Sequence, residues 1–299
     1  AISMAPTVAQ LPSNCLGSGN GDFTIFIDTI AENIGVLIDS QGNEAADLTG
    51  YNTYRLYLQT ESSSDLLQGV AGDIAFPTSI TTTTSFYQAA AGGPTHVSIN
   101  PLFFPFFPDA EYDSYVTIGL TEAANSNNNE IDVTVTEDPD LQPKPITGTF
   151  ENGGNLILDS FTGSSWYLAA NVEGVPNATA GVDQKVLFAQ VTTDGEIGGM
   201  VQFQVYRDGI QEPENCLRPY LEIDTSPGGG CTDPSACNYD PTATLNSGVC
   251  VFGGCTIPGA CNFDVTANSN DGSCDFLSCL AFGCTNPSAC NYDPAATID

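Results

Sequence analysis

Met200-Val201-Gln202-Phe203-Gln204-Val205-Tyr206 places Val201, Phe203 and Val205 on one side of an extended chain and Gln202 and Gln204 on the other. Strict two-residue alternation of this kind is the signature of a β-strand with one face toward a core. Similar alternating or β-branched runs lie on either side in the chain. They are Phe23–Ile27, Tyr54–Leu58, Tyr115–Ile118, Ile131–Val135, Leu156–Leu158, Trp166–Leu168 and Lys185–Phe188, with Gly, Asn, Asp and Pro clusters between them. No long segment has a 3.6-residue apolar period, so helices are not expected to build the fold. About eight to twelve short strands over ~200 residues predict an all-β domain, a β-sandwich or jelly-roll-like fold.

The composition changes at Ser226-Pro227-Gly228-Gly229-Gly230. Before this stretch lie only two cysteines and all five basic residues, Arg55, Lys144, Lys185, Arg207 and Arg218. After it, nine of the eleven cysteines fall between Cys231 and Cys290, with no Lys or Arg. The predicted organisation is an N-terminal arm over 1–14, the β domain over 15–225 and a Gly-rich linker over 226–230. Three Cys repeats follow over 231–253, 254–282 and 283–299. They align as Gly230-Cys-Thr-Asp-Pro-Ser-Ala-Cys-Asn-Tyr-Asp, Gly254-Cys-Thr-Ile-Pro-Gly-Ala-Cys-Asn-Phe-Asp and Gly283-Cys-Thr-Asn-Pro-Ser-Ala-Cys-Asn-Tyr-Asp. The third stops before its Gly-x-Cys, which predicts that the native chain runs on. Ala1 reads as a mature N-terminus.

Units of this size bury too little apolar surface to fold unaided; below ~40 residues, crosslinks or metals are usually needed. Zinc sites use short C-x₂₋₄-C pairs, often with His; here the close spacings are C-x₅-C, C-x₁₂-C and C-x₄-C, and the single histidine, His96, is far away in sequence, so disulfides are the better reading. Disulfides, and an oxidising extracytoplasmic setting, are therefore expected. The expected pairs are Cys231–Cys250, Cys255–Cys274 and Cys261–Cys279. Cys284 and Cys290 await partners, and Cys237 is unassigned. Cys15 and Cys216 bracket the β domain, and their pairing is the simplest for that region.

With 36 acidic residues and a net charge of −31, the chain repels nucleic acid and anionic membranes. No stretch of ~18 apolar residues predicts membrane insertion. A solubilising surface for salty water and specific cation binding both fit the charge. The candidate Ca²⁺ ligands are Asp233, Asn238, Asp240, Asn262, Asp264, Asp271, Asn286, Asn291 and Asp293. The alternative for these residues is Asx-turns that fix the cysteine framework.

Asn100-Pro101-Leu102-Phe103-Phe104-Pro105-Phe106-Phe107-Pro108 cannot be a central strand, because of its three prolines. It reads either as a loop folded over the sandwich core or as a subunit-packing surface. Trp166 and Tyr167 are candidates for stacking on a sugar, against a core role for Trp166. Asn177-Ala178-Thr179 is a glycosylation sequon, and Thr29 in Asp28-Thr29-Ile30 is a candidate O-glycan acceptor. Ser–His–Asp catalysis would need His96, which lacks a nucleophile-elbow context, so no enzyme is expected. The arm Ala1–Ser13 could add a strand to another copy.

The Cys repeats resemble the Gly-Cys-Thr-Asp-Pro-x-Ala-x-Asn-Tyr-Asp-Pro repeats of large secreted surface proteins of aquatic Bacteroidetes, type IX secretion cargo among them. Ile257 and Val265 depart from that pattern, as do Ser247 and Val249. Gly50–Tyr57, Ile80–Gln88 and Asp113–Gly119 resemble a β domain of the same proteins. The resemblance implies a secreted, multi-repeat surface or matrix protein, with no catalytic residues to carry over. The leading expectation is an extracellular structural or adhesive protein that self-associates into a fibre or layer, with the repeats as stalk or connector. A carbohydrate-binding module, with glycans as partners, is the alternative.

Overall fold

A computed structural model describes Cys15 and residues 23–169 and 171–223. Of the Cys-rich region it describes 229–230, 233–235, 245–246, 252–255, 259–267, 269–270, 273–276, 278–279, Cys284, Asn286 and Cys290. The chain divides into two compact units, Ala1–Thr225 and Ser226–Asp299.

The first unit is built from β1 (Thr24–Ala31), β2 (Gly35–Ile38), β3 (Glu44–Leu48), β4 (Asn52–Gln59), β5 (Leu66–Gly72), β6 (Thr78–Thr82) and β7 (Tyr115–Val116). It continues with β8 (Thr134–Thr136), β9 (Leu156–Leu158), β10 (Ser164–Tyr167), β11 (Lys185–Thr193), β12 (Ile197–Tyr206), β13 (Cys216–Leu217) and β14 (Tyr220–Ile223). Helical structure among the described residues is confined to single short turns, none long and apolar enough to cross a membrane. Two-residue ladders such as β7 and β13, and the β2–β3 hairpin, raise the strand count above the eight to twelve expected.

One sheet has the order β1-β4-β11-β7. The other runs β8-β10-β5-β12-β6-β9, with β13 and β14 also paired to β12. All these pairings are antiparallel. The alternation in β12 works as read: Val201, Phe203 and Val205 join the buried core. From the facing sheet come Leu56, Leu58 and Phe188. The Phe188 and Phe203 rings meet edge to face at 5.0 Å, an arrangement that adds ~0.5–1.5 kcal/mol beyond area burial. Cys15 is bonded to Cys216 across 201 positions, with Cα atoms 4.8 Å apart.

Among the described residues of the second unit only Cys255 and Ala260 are buried. Two copies of the repeat share a two-residue parallel ladder. Gly229–Gly230 (β15) pairs in parallel with Leu245–Asn246 (β16), and Gly253–Gly254 (β17) with Ser269–Asn270 (β18). Gly229 and Gly230, read from sequence as linker, are thus ladder partners of the first repeat. Disulfides join Cys255 to Cys274 and Cys261 to Cys279. Cys284 and Cys290 carry free thiols. Cys231, Cys237 and Cys250 lie outside the described residues. Multiple disulfides indicate an oxidising environment.

Candidate functional site

The proline-phenylalanine segment is a built loop with an exposed tip. Asn100 starts it: its side-chain oxygen accepts from Leu102 N–H at 3.1 Å, and Pro101 occupies the first position of a 3-10 turn, Pro101–Phe103. Phe106 and Phe107 N–H groups then both donate to the Phe103 carbonyl, at 2.8 and 2.9 Å. Pro108 opens the next turn, Pro108–Tyr112. The Ser40 N–H donates to the Pro105 carbonyl at 2.6 Å, pinning the loop to the β2–β3 hairpin. Prolines lack a donor and fix φ, so the loop satisfies its backbone with few bonds and little freedom.

The base of the loop is held by buried polar groups. Asp113 is fully buried, and its carboxylate accepts from Ala89 N–H at 2.7 Å and Gly93 N–H at 2.8 Å. Position 92 has to be glycine, because a Cβ there would sit 2.0 Å from Asp113 Oδ2. Burial pushes the Asp113 carboxyl up to about 7, against the backbone N–H bonds that favour its charged form; the nearby Glu151 charge adds to the rise. Tyr87 donates its hydroxyl to Asp109 at 2.9 Å. The Gln190 amide on β11 donates to the Glu111 and Asp113 carbonyls at 3.0 and 3.1 Å. The loop is therefore fastened to the β1-β4-β11-β7 sheet through its base.

The tip itself is left in solvent. Leu102 is 81% exposed, Phe103 54%, Phe106 53% and Phe107 48%. The reading of a loop folded over the core is thereby corrected: the prolines set the segment into successive turns, and its anchoring is polar and at the base. An apolar cluster of this size is what a docking surface looks like.

Other sequence candidates change status. Trp166 is fully buried opposite Val70 in the β5–β10 pairing, and its indole N–H donates to the Thr117 carbonyl at 3.1 Å. It cannot stack on a sugar, because its ring faces the core; only Tyr167 of that pair is partly exposed. Asn177 is also a correction. It is buried, and its amide donates to the Ile118 and Ile131 carbonyls at 2.8 and 3.0 Å, so its nitrogen is not presented for glycosylation. Thr29 is exposed on β1. His96 is fully buried with Nε2 3.1 Å from Asp132 Oδ1, while Asp132 also accepts from Ala124 N–H at 2.7 Å. Burial lowers its pKa, against the Asp132 charge. This pair ties two loops together.

Among the candidate cation ligands, four are described. Asp233 Oδ1 accepts from the Ser235 N–H and hydroxyl at 2.9 and 2.7 Å, and Asp264 Oδ1 from those of Thr266 at 2.8 and 2.6 Å. Asn262 donates to the Ser273 carbonyl at 2.7 Å and accepts from Asp275 N–H at 2.7 Å. These are the bonds of Asx-turns and of a side-chain bridge across the repeat. Asn286 is exposed. Among the described residues no group of three or more His, Cys, Asp or Glu side chains is arranged to hold a metal. Asn238, Asp240, Asp271, Asn291 and Asp293 lie outside the described residues.

The residues that fasten the loop, Tyr87, Asp109, Asp113 and Gln190, were not singled out from sequence. The only local signal was the Gly92-Gly93 pair, which makes room for a carboxylate twenty positions away. No protein-family model matches this chain, and no curated protein matches it.

Proposed function

We propose that the protein is an extracellular structural or adhesive subunit of a surface fibre or matrix. In this reading the β-sandwich unit self-associates through the loop 100–108, and the disulfide-stapled repeats serve as stalk or connector. The observation that carries it is the exposed tip Leu102, Phe103, Phe106 and Phe107 on a polar-anchored base. A chain of net charge −31 repels its own copies at long range. Contact therefore needs an uncharged surface, and salt that shortens the ~10 Å reach of the repulsion. Loop 100–108 has no charged residue. Sedimentation of the oxidised full chain tests this. Association should strengthen as salt rises from 0.05 to about 0.5 M, and the double substitution Phe103→Ser, Phe106→Ser should abolish it. A wild-type chain that stays monomeric at every concentration and salt would end the reading.

A further inference from the structure

A second apolar patch lies elsewhere on the β-sandwich unit. The β5–β6 turn and the β9–β10 turn meet where Ile74 N–H donates to the Ser160 carbonyl at 3.1 Å. Asp73 Oδ1 shapes the first turn by accepting from the Ala75 and Phe76 N–H groups at 2.7 and 2.9 Å. These turns leave Ile74 65%, Phe76 48% and Phe161 83% exposed. The Phe76 ring rests edge-on against Tyr220 at 5.8 Å, so the patch is braced by β14. It belongs to the sheet that contains β12, whereas the phenylalanine loop is fastened to the sheet that contains β11.

The two patches differ in their charged surroundings. Asp39 and Glu111 flank the loop at the surface, Asp109 is buried at its base, and Arg55, half-buried on β4, donates its Nε N–H to Gln190 beneath that base at 2.9 Å. The second patch has acidic neighbours too, Asp73, Asp138 and Asp159, but also cations. Lys144 Nζ donates to the Asp138 carbonyl, and the Asp138 N–H donates to the Ser164 hydroxyl at 3.2 Å, at the end of the β9–β10 turn that carries Phe161. Arg218 lies two positions from Tyr220. Bringing two loops together would set acidic rim against acidic rim. A loop brought to the second patch meets a rim of mixed sign, which costs less.

Area points the same way. At ~200 Å² for each fully exposed side chain of this kind, each patch offers roughly 400–500 Å² of apolar surface. The pair would together remove about 900 Å² from water, close to the ~1,000 Å² that a specific interface has to clear before its polar rim is added. A loop-to-loop contact would leave the second patch exposed on every copy.

Resting on the self-association reading above, we infer that the contact is head to tail: the Leu102–Phe107 tip of one copy docks on the Ile74–Phe76–Phe161 patch of the next. Such an interface uses two different surfaces, so each added copy presents a fresh tip or patch and the chain of contacts stays open or closes into a ring.

The test is complementation by mixing. One full-length variant carries Phe103→Ser and Phe106→Ser; the other carries Phe161→Ser. Each substituted ring is at least half exposed, so folding is left intact. Under conditions in which the wild type forms oligomers, each variant alone should sediment as a monomer, with at least a tenfold loss of association. An equimolar mixture should form a dimer and nothing larger, because only one tip and one patch remain intact between the two. If the Phe161→Ser chain still assembles as wild type, or if the mixture stays monomeric, the head-to-tail contact is wrong while self-association stands. A monomeric wild type would overturn self-association itself, and this contact with it.

Discussion

The two units of this chain are held together by different means. The first unit buries a continuous apolar core between two sheets and has one disulfide, Cys15–Cys216, tying its N-terminal segment to β13. Among the described residues of 226–299, two side chains are buried and two disulfides lie within a few turns of each other. The difference follows from size. Burial at about 25 cal/mol per Å² stabilises a domain only when enough chain is present to enclose a volume. In a unit of a few dozen residues, crosslinks that limit the unfolded ensemble take over that role.

Reduction gives the largest expected difference between the units. With thiols reduced and alkylated, the repeat containing Cys255–Cys274 and Cys261–Cys279 should lose its fold outright, as amide-exchange protection over 252–279 would report. The β unit should keep its β-sheet circular dichroism while losing about 5 kcal/mol from opening the Cys15–Cys216 loop in the chain-entropy model. Protection over the repeat that survives reduction would erase the distinction.

Next in size is Phe203→Ala. It removes a fully buried ring from the contact with Phe188 and should cost the first unit about 3–5 kcal/mol in urea unfolding, with no effect on exchange in the repeats. A similar loss in both units would mean that they unfold as one.

A smaller effect is pH-dependent and concerns the loop base. Asp113 keeps its proton in the folded state up to about pH 7, whereas its ordinary carboxyl value is 3.8. Its contribution to stability is therefore fully present below about pH 4 and falls as pH rises toward 7, by a few kcal/mol at most. Asp113→Asn should flatten this part of the pH profile relative to wild type, while losing one acceptor for the Ala89 or Gly93 N–H. Identical slopes in the two proteins would place the titration elsewhere.

The smallest effect belongs to the turns of the repeat. Asp264→Ala removes two hydrogen bonds to Thr266 at an exposed turn and should weaken the repeat less than any of the changes above, because water replaces the lost bonds. Exchange rates at Thr266 and Ala267 would read it directly, and the first unit should not respond.

Much of the β framework was readable because half-buried strands announce themselves by alternation. The strands at β1, β4, β9, β10, β11 and β12 coincide with the runs picked out from sequence. β5 was missed because Leu66-Leu67-Gln68-Gly69-Val70-Ala71-Gly72 lies between β10 and β12, where both faces are covered and alternation is lost. β6, Thr78–Thr82, has only one apolar residue, and its pairing with β9 and β12 is decided by distant partners.

The sequence by itself determined the β class of the first region and the repeat unit of the second, because each depends on periodicity or on the spacing of a few residue types. The pairs Cys15–Cys216, Cys255–Cys274 and Cys261–Cys279 were expectations that the fold realises by bringing the sulfurs together. Only the tertiary structure decided which apolar and polar side chains face outward. Trp166 and Asn177 went inside, and the tip at Phe103, Phe106 and Phe107 stayed out. Exposure of a side chain depends on what the rest of the fold brings over it, and the Asp113, Asp109 and Gln190 anchors that hold the loop by its base come from segments that no local pattern joins.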